Sequence, residues 1–165
     1  AVGPKIFHVL FFINIRTRKV HIAGITKHPK KEWMINQAKT ISFLFQDDKS
    51  KALIRDGDKK YPEAFDDIFK KYNTTVKKIS YRAPNLNPYC EGWVGTVKRE
   101  CLNHFFAFGE IHFTYLVNEY VKYYNTVRPH SSMGNLPLDY RIKNNNGRIG
   151  CDSRLGGIIR HYYRE

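Results

Sequence analysis

Three side chains have types and positions suited to holding a metal ion or meeting a phosphate: Asp56, Glu91 and Lys98. Asp56 closes the short apolar run Ala52 to Arg55 and is followed by Gly57 and Asp58. Acidic side chains where a buried strand ends, followed by a glycine and then a helix, form a common metal-binding edge in α/β folds. Asp-Gly is also a frequent turn dipeptide, so a plain turn fits the same residues. Glu91 and Lys98 are seven positions apart. If the chain is helical from about Tyr89, seven residues make nearly two turns and place both within roughly 20° on one face. Gly95 lies between them and is small enough to let a phosphate backbone approach, although Gly92 and Gly95 each cost a helix about 1 kcal/mol relative to alanine. An amphipathic helix with solvated charges would show the same pattern.

The elements that must position these residues follow from periodicity. Lys5 to Ile15 is dense in β-branched and aromatic residues and reads as a buried strand. Arg16 to Arg18 make a tight turn, and Lys19 to Thr26 return as the second strand of a hairpin. His8 and His21 are strand-face residues in this reading. Lys31 to Phe45 carries Trp33, Met34, Ala38, Ile41 and Phe45 at helical spacing. Ala52 to Arg55 is an inner strand, Tyr61 to Tyr72 a helix with Phe65, Ile68 and Phe69 inward, and Thr75 to Ile79 a strand. In the helix that bears Glu91, the residues Cys90, Trp93, Val94, Val97 and Cys101 gather on the arc beside the charged stripe. Gly109 to Tyr124 repeats apolar residues with helix periodicity and ends at YNTVRPH, where Pro129 stops the helix and aims Arg128 and His130 outward. Lys143 to Gly147 is a linker, and Arg148 to Glu165 a hairpin around Gly156-Gly157 or a basic arm. Two strands, helix, strand, helix, strand, helix and helix specify an α/β fold with helices on a mixed sheet.

Composition narrows the partners. The chain has 165 residues, with 28 basic against 15 acidic and a formal charge of +13. That length suits one core and a tail, and that charge points first to nucleic acid. The apolar run from Val9 to Ile13 is too short to span a membrane, and no signal-peptide pattern follows it. Cys90, Cys101 and Cys151 show no zinc spacing and leave one cysteine over in any disulfide scheme. A reducing, cytoplasmic setting, nucleoid-associated in a bacterium, fits them.

Three stretches then resemble a known family: LIRDGDKKY at Leu53 to Tyr61, SYRAPNLNPYCEGWVGTVKREC at Ser80 to Cys101, and YNTVRPHSSMGNLPLDY at Tyr124 to Tyr140. Together, in this order, they are similar to the catalytic core of the DDE integrases and transposases. The resemblance implies an RNase H-like mixed sheet flanked by helices. It implies metal-dependent phosphodiester strand transfer in DNA integration or transposition, with Asp56 and Glu91 as catalytic carboxylates and metal ligands. The 35 positions between them resemble the separation of the family's second and third carboxylates. Two Mg²⁺ or Mn²⁺ ions are the implied cofactors, because such ions activate a water or 3′-hydroxyl and stabilise charge on the leaving oxygen. Lys98, Arg99, Arg82, Asn85, Arg128 and His130 are the implied DNA-binding residues. The implied partners are DNA, as mobile-element ends and target, and a second copy or an intact transposase.

Two departures qualify the resemblance. The family's first aspartate lies on a strand before the hairpin, and from Ala1 to Gln46 the acidic residue is Glu32 at a helix start. The expectation is therefore a partial catalytic core over 1–140 whose first strand is missing, inactive alone, with a basic tail over 141–165. Arg55 stands where relatives show His or Ser, and Gly57 where they show Arg. A non-catalytic DNA-binding or interaction protein derived from a transposase is the alternative from another class, and a structure-directed nuclease of the same fold the alternative within it. A sheet edge left open by a missing strand would favour self-association.

Overall fold

The computed structural model describes residues 6–46, 52–79, 88–140 and 146–164. They fall into two compact units, one within Ala1–Phe12 and Ile22–Gly92, the other within Ile13–His21 and Trp93–Glu165.

The first unit is built on strands β1 (His8–Ile13) and β2 (Val20–Thr26), helix α1 (Lys31–Ile41), strand β3 (Ala52–Asp56), helix α2 (Glu63–Lys70) and strand β4 (Thr75–Ile79). β1 and β2 pair, and their short connection admits only the antiparallel hairpin read from the sequence. Asn14 shapes that turn, its side-chain oxygen accepting the N–H groups of Arg16 and Thr17 at 3.0 Å each. α1 stops at Ile41 and tightens into a 3-10 turn over Ser42–Phe45, so the single helix expected to Phe45 is two pieces. α2 begins after Pro62, whose extended backbone cannot continue a helix backwards to Tyr61. It closes at Asn73, which takes the left-handed conformation that asparagine tolerates.

The core of this unit gathers Leu10 of β1, Met34, Ala38 and Ile41 of α1, and Phe65 and Phe69 of α2. Phe12, Phe45 and Phe69 pack with ring centroids 5.0 to 6.1 Å apart, two of the pairs edge to face. Gly24 lets α1 close on β2, because a Cβ there would come within 2.8 Å of the Trp33 ring.

The expected α/β composition is present, but the described residues do not form one mixed sheet. Among the described residues the strands pair as three two-stranded sheets: β1 with β2, β3 with β4 in parallel, and a third pair near the C-terminus. A sheet grows only by backbone pairing at its edges. No such pairing joins β1 or β2 to β3 or β4.

The second unit holds most of α3 (Pro88–Glu100), then α4 (Glu110–Thr126) and the strands β5 (Ile149–Arg154) and β6 (Ile159–Arg164). Its buried residues include Trp93, Val97 and Cys101 from the apolar arc read in the sequence, and Leu116, Val117, Tyr120, Val121 and Tyr124 of α4, while Cys90 and Val94 of that arc are half-buried. Cys101 ties the end of α3 to α4, its thiol donating to the Leu116 carbonyl at 3.8 Å. The hairpin turn from the first unit's strands belongs here too. Asn125 of α4 accepts the Val20 N–H at 2.9 Å and donates to the Val20 carbonyl at 2.8 Å. No described helix is long and apolar enough to cross a membrane.

Candidate active site and the exposed face of α3

Asp56 sits at the exposed end of β3, opposite Ile79 in the parallel pairing. One of its carboxylate oxygens accepts the Asp58 N–H at 3.3 Å, so the turn that follows the strand orients the side chain. Asp58 in turn accepts the Lys60 N–H at 2.9 Å and lies 3.5 Å from the Lys60 ammonium. Asp56, Asp58, Lys60 and Tyr61 line the wall of a cavity of about 150 Å³ together with His8 and Trp33. Tyr61 stays a neutral phenol in that wall. Burial first, and then the nearby Asp56 and Asp58 carboxylates, push its hydroxyl up to about 12.

Arg55, the departure noted in the sequence, is what fixes this end of β3. Its guanidinium is buried and meets Asp66 of α2 in a two-point pair, with both contacts at 2.8 Å. A third donor reaches the Asp56 carbonyl at 2.7 Å, and the group lies 4.7 Å from the centre of the Tyr61 ring. Burial alone would raise the Asp66 carboxyl. The hydrogen bonds and charge of Arg55, joined by Lys78 at 3.4 Å, more than offset this and hold it below the ordinary carboxylate range. Sequence reading missed Asp66 because it lies on the polar side of a helix whose signal was its apolar side.

Glu91 is exposed on the first turn of α3, in the same unit as Asp56. The neighbouring Cys90 is close enough to Tyr61 to contribute to the rise of its pKa. Further along the helix, Lys98 and Arg99 are exposed, and Arg99 has only a 3.9 Å approach to Glu100. Gly92 and Gly95 have open space where a side chain would stand, so neither is required by packing. The acid in the first turn and the cations in the last also suit the helix dipole, an effect of about 0.3–1 kcal/mol each. That effect does not account for two glycines on the same exposed face.

Arg128 and His130 are not aimed outward as the proline stop suggested. Arg128 makes a two-point pair with Glu100 at 2.8 and 2.6 Å, while the Tyr120 hydroxyl donates to the same carboxylate at 2.8 Å. Burial would raise the Glu100 carboxyl, but the Arg128 and Tyr120 hydrogen bonds outweigh it and leave it low. His130 is 5% exposed, with Nε2 at 2.9 Å from the Tyr124 carbonyl and its ring edge-on to Tyr124 at 4.7 Å. Pro129 does end the helix. The chain then folds back rather than out, because Glu100 offers a charge partner and the Tyr124 carbonyl, near the helix end, needs a donor. Arg82 and Asn85 lie outside the described residues.

Among the described residues, no group of three or more His, Cys, Asp or Glu side chains is placed to hold a metal ion. The oxygen donors Asp56 and Glu91 are of the kind Mg²⁺ and Mn²⁺ take. Among the described residues these two are one short of the three carboxylates that the resemblance implies.

No match to the chain was found among curated proteins or among solved structures. Residues 72–137 match the family model described as Integrase core domain. That stretch begins just after α2 and runs through β4, α3 and α4 to Pro137, and it holds Glu91, Lys98, Arg99, Arg128 and His130, while Asp56 lies before it. Families of this kind generally use divalent metal and act on DNA. Over residues 72–137 the chain is thus similar to the integrase core domain, the family that the sequence motifs within that stretch resemble.

Proposed function

We propose that the chain acts in DNA integration or transposition as an RNase H-like integrase core. The observation that carries this reading is the exposed face of α3. Glu91, Lys98 and Arg99 share it with Gly92 and Gly95, which leave it open to a ligand, and the face lies inside the integrase-matched stretch. In this reading Lys98 and Arg99, with Arg82 and Asn85 earlier in the sequence, contact DNA phosphates. Arg128 and His130 hold the ends of α3 and α4 in place for them. Asp56 and Glu91 supply oxygen donors to divalent ions, and bound ions would activate a water or 3′-hydroxyl and stabilise the leaving oxygen.

The chain by itself binds DNA and does not cut or join it, since the described residues furnish two of the three carboxylates. The test is a nicking and strand-transfer assay on terminal and nicked duplexes with Mg²⁺ or Mn²⁺. No product above background is expected. Product that disappears in Asp56→Asn and in Glu91→Gln would overturn the inactivity and leave a complete enzyme. The second reading, a non-catalytic DNA-binding protein derived from a transposase, draws on the same shortage of carboxylates. Co-purification with an intact relative supports it, and activity on added DNA removes it.

A further inference from the structure

β5 and β6 lie beyond the stretch that matches the integrase core domain, and nothing at α3 or Asp56 uses them. They pair antiparallel with Ile149 opposite Arg164, Cys151 opposite Tyr162 and Ser153 opposite Arg160. Directly opposed residues share a face. That face is solvent-exposed at Arg160, Tyr162 and Arg164, with Tyr162 61% exposed, and carries no acid. Asp152 sits on the other face, opposite His161. That other face is the anchored one. Ile159 is buried, Arg154 lies 3.7 Å from Glu119 of α4, and the Tyr163 ring crosses Gly150 so closely that a Cβ there would stand 2.7 Å from it. The turn between the strands needs left-handed backbone at Gly156 and Gly157, which glycine supplies without strain. The hairpin is therefore a held ribbon with one basic, aromatic side free.

We infer that this ribbon is a second DNA-binding surface, in which Arg160 and Arg164 meet phosphates of duplex DNA and Tyr162 between them faces the groove. Alternate residues on a strand project on one side, so the two arginine positions lie about 13 Å apart. The major groove of B-DNA is about 12 Å wide and admits a two-stranded ribbon. The major groove of duplex RNA is too deep and narrow for it. Arginine presents several donors in a fixed fork, and although one Arg164 donor reaches the Gly147 carbonyl at 3.1 Å, the rest of the fork remains for a phosphate. The inference rests on the DNA-acting reading above for its choice of ligand.

The test is anisotropy of a labelled duplex with the full chain over a salt series. Four proteins are compared: native, Arg160→Ala/Arg164→Ala, Arg160→Lys/Arg164→Lys, and Lys98→Ala/Arg99→Ala. The hairpin alanine pair is expected to make the slope of log affinity against log salt shallower by about 2, with the lysine pair at the native slope. The α3 pair is expected to lose slope independently. A hairpin alanine pair with native slope overturns the inference and leaves the α3 reading standing. So does a lysine pair that binds no better than the alanine pair, or native binding that prefers duplex RNA. Failure of the native chain to bind any duplex overturns both readings.

Discussion

At the scale of single residues, four arginines and lysines separate by what faces them. Arg55 and Arg128 each meet a carboxylate in a two-point pair, whereas Lys98 and Arg99 point to solvent. Arg55→Ala leaves Asp66 buried with only the longer Lys78 contact, and urea unfolding should show a loss of about 3–5 kcal/mol. A matching loss in Lys98→Ala would contradict the distinction. The titrating partners give a pH dependence of known sign. Burial lowers the His130 imidazole, with the Arg128 charge adding to the effect against the pull of the Tyr124 carbonyl, so the folded chain takes up that proton less readily than the unfolded one. Its contribution is whole above the ordinary imidazole value of 6.5 and is lost as pH falls below it. Asp66 and Glu100 also have lowered folded values, so their contributions are whole above the ordinary carboxyl values of 3.8 and 4.5 and are lost below them. Thermal midpoints should therefore fall in two stages on acidification. In His130→Gln the stage that sets in below the ordinary imidazole value should shrink to what His21, also lowered by burial, contributes, while the carboxylate stage remains. The sequence did not disclose these partners. A proline announces that a helix stops, but not that Glu100, 28 positions back, waits to pair with the next arginine.

At the scale of elements, α3 was the most legible part of the chain. Its period placed Trp93, Val97 and Cys101 inward and Glu91 and Lys98 outward, and the structure keeps that division. The two glycines on its open side yield a prediction. Gly92→Ala and Gly95→Ala each meet no atom within 4 Å, so each should stabilise the chain by about 0.5–1 kcal/mol. For a chain of this size that is a rise of a few degrees in thermal midpoint. Gly24→Ala should do the reverse, because its Cβ would press on Gln37 and Trp33 at under 3 Å. Equal effects at the three positions would show that helix propensity, and not local space, decides them. The C-terminal hairpin was half legible. Gly156-Gly157 marked the turn, but only the register shows that Arg160, Tyr162 and Arg164 share an exposed face.

At the scale of the molecule, strand and helix identity followed from local periodicity, whereas the way strands assemble did not. β3 and β4 pair in parallel, an arrangement that ordinarily sits inside a larger sheet with both faces covered. Among the described residues the pair has only its own two strands, and Ile54 is left exposed. Sheet assembly depends on which edges find partners, and that is not written in the alternation of any one strand. An open edge favours further pairing. The chain should accordingly show concentration-dependent self-association in sedimentation, and a monodisperse monomer at high concentration would count against open edges.

The central claim is that the exposed face of α3 meets the phosphates of DNA. It is tested most directly by nuclease footprinting of a bound duplex with native chain and with Lys98→Glu/Arg99→Glu, at low and moderate salt. The native chain should leave a footprint that weakens steeply with salt, and the α3 variant should lose it at the same concentration while its thermal midpoint stays near native. An unchanged footprint in the variant, or one insensitive to salt in the native chain, would contradict it.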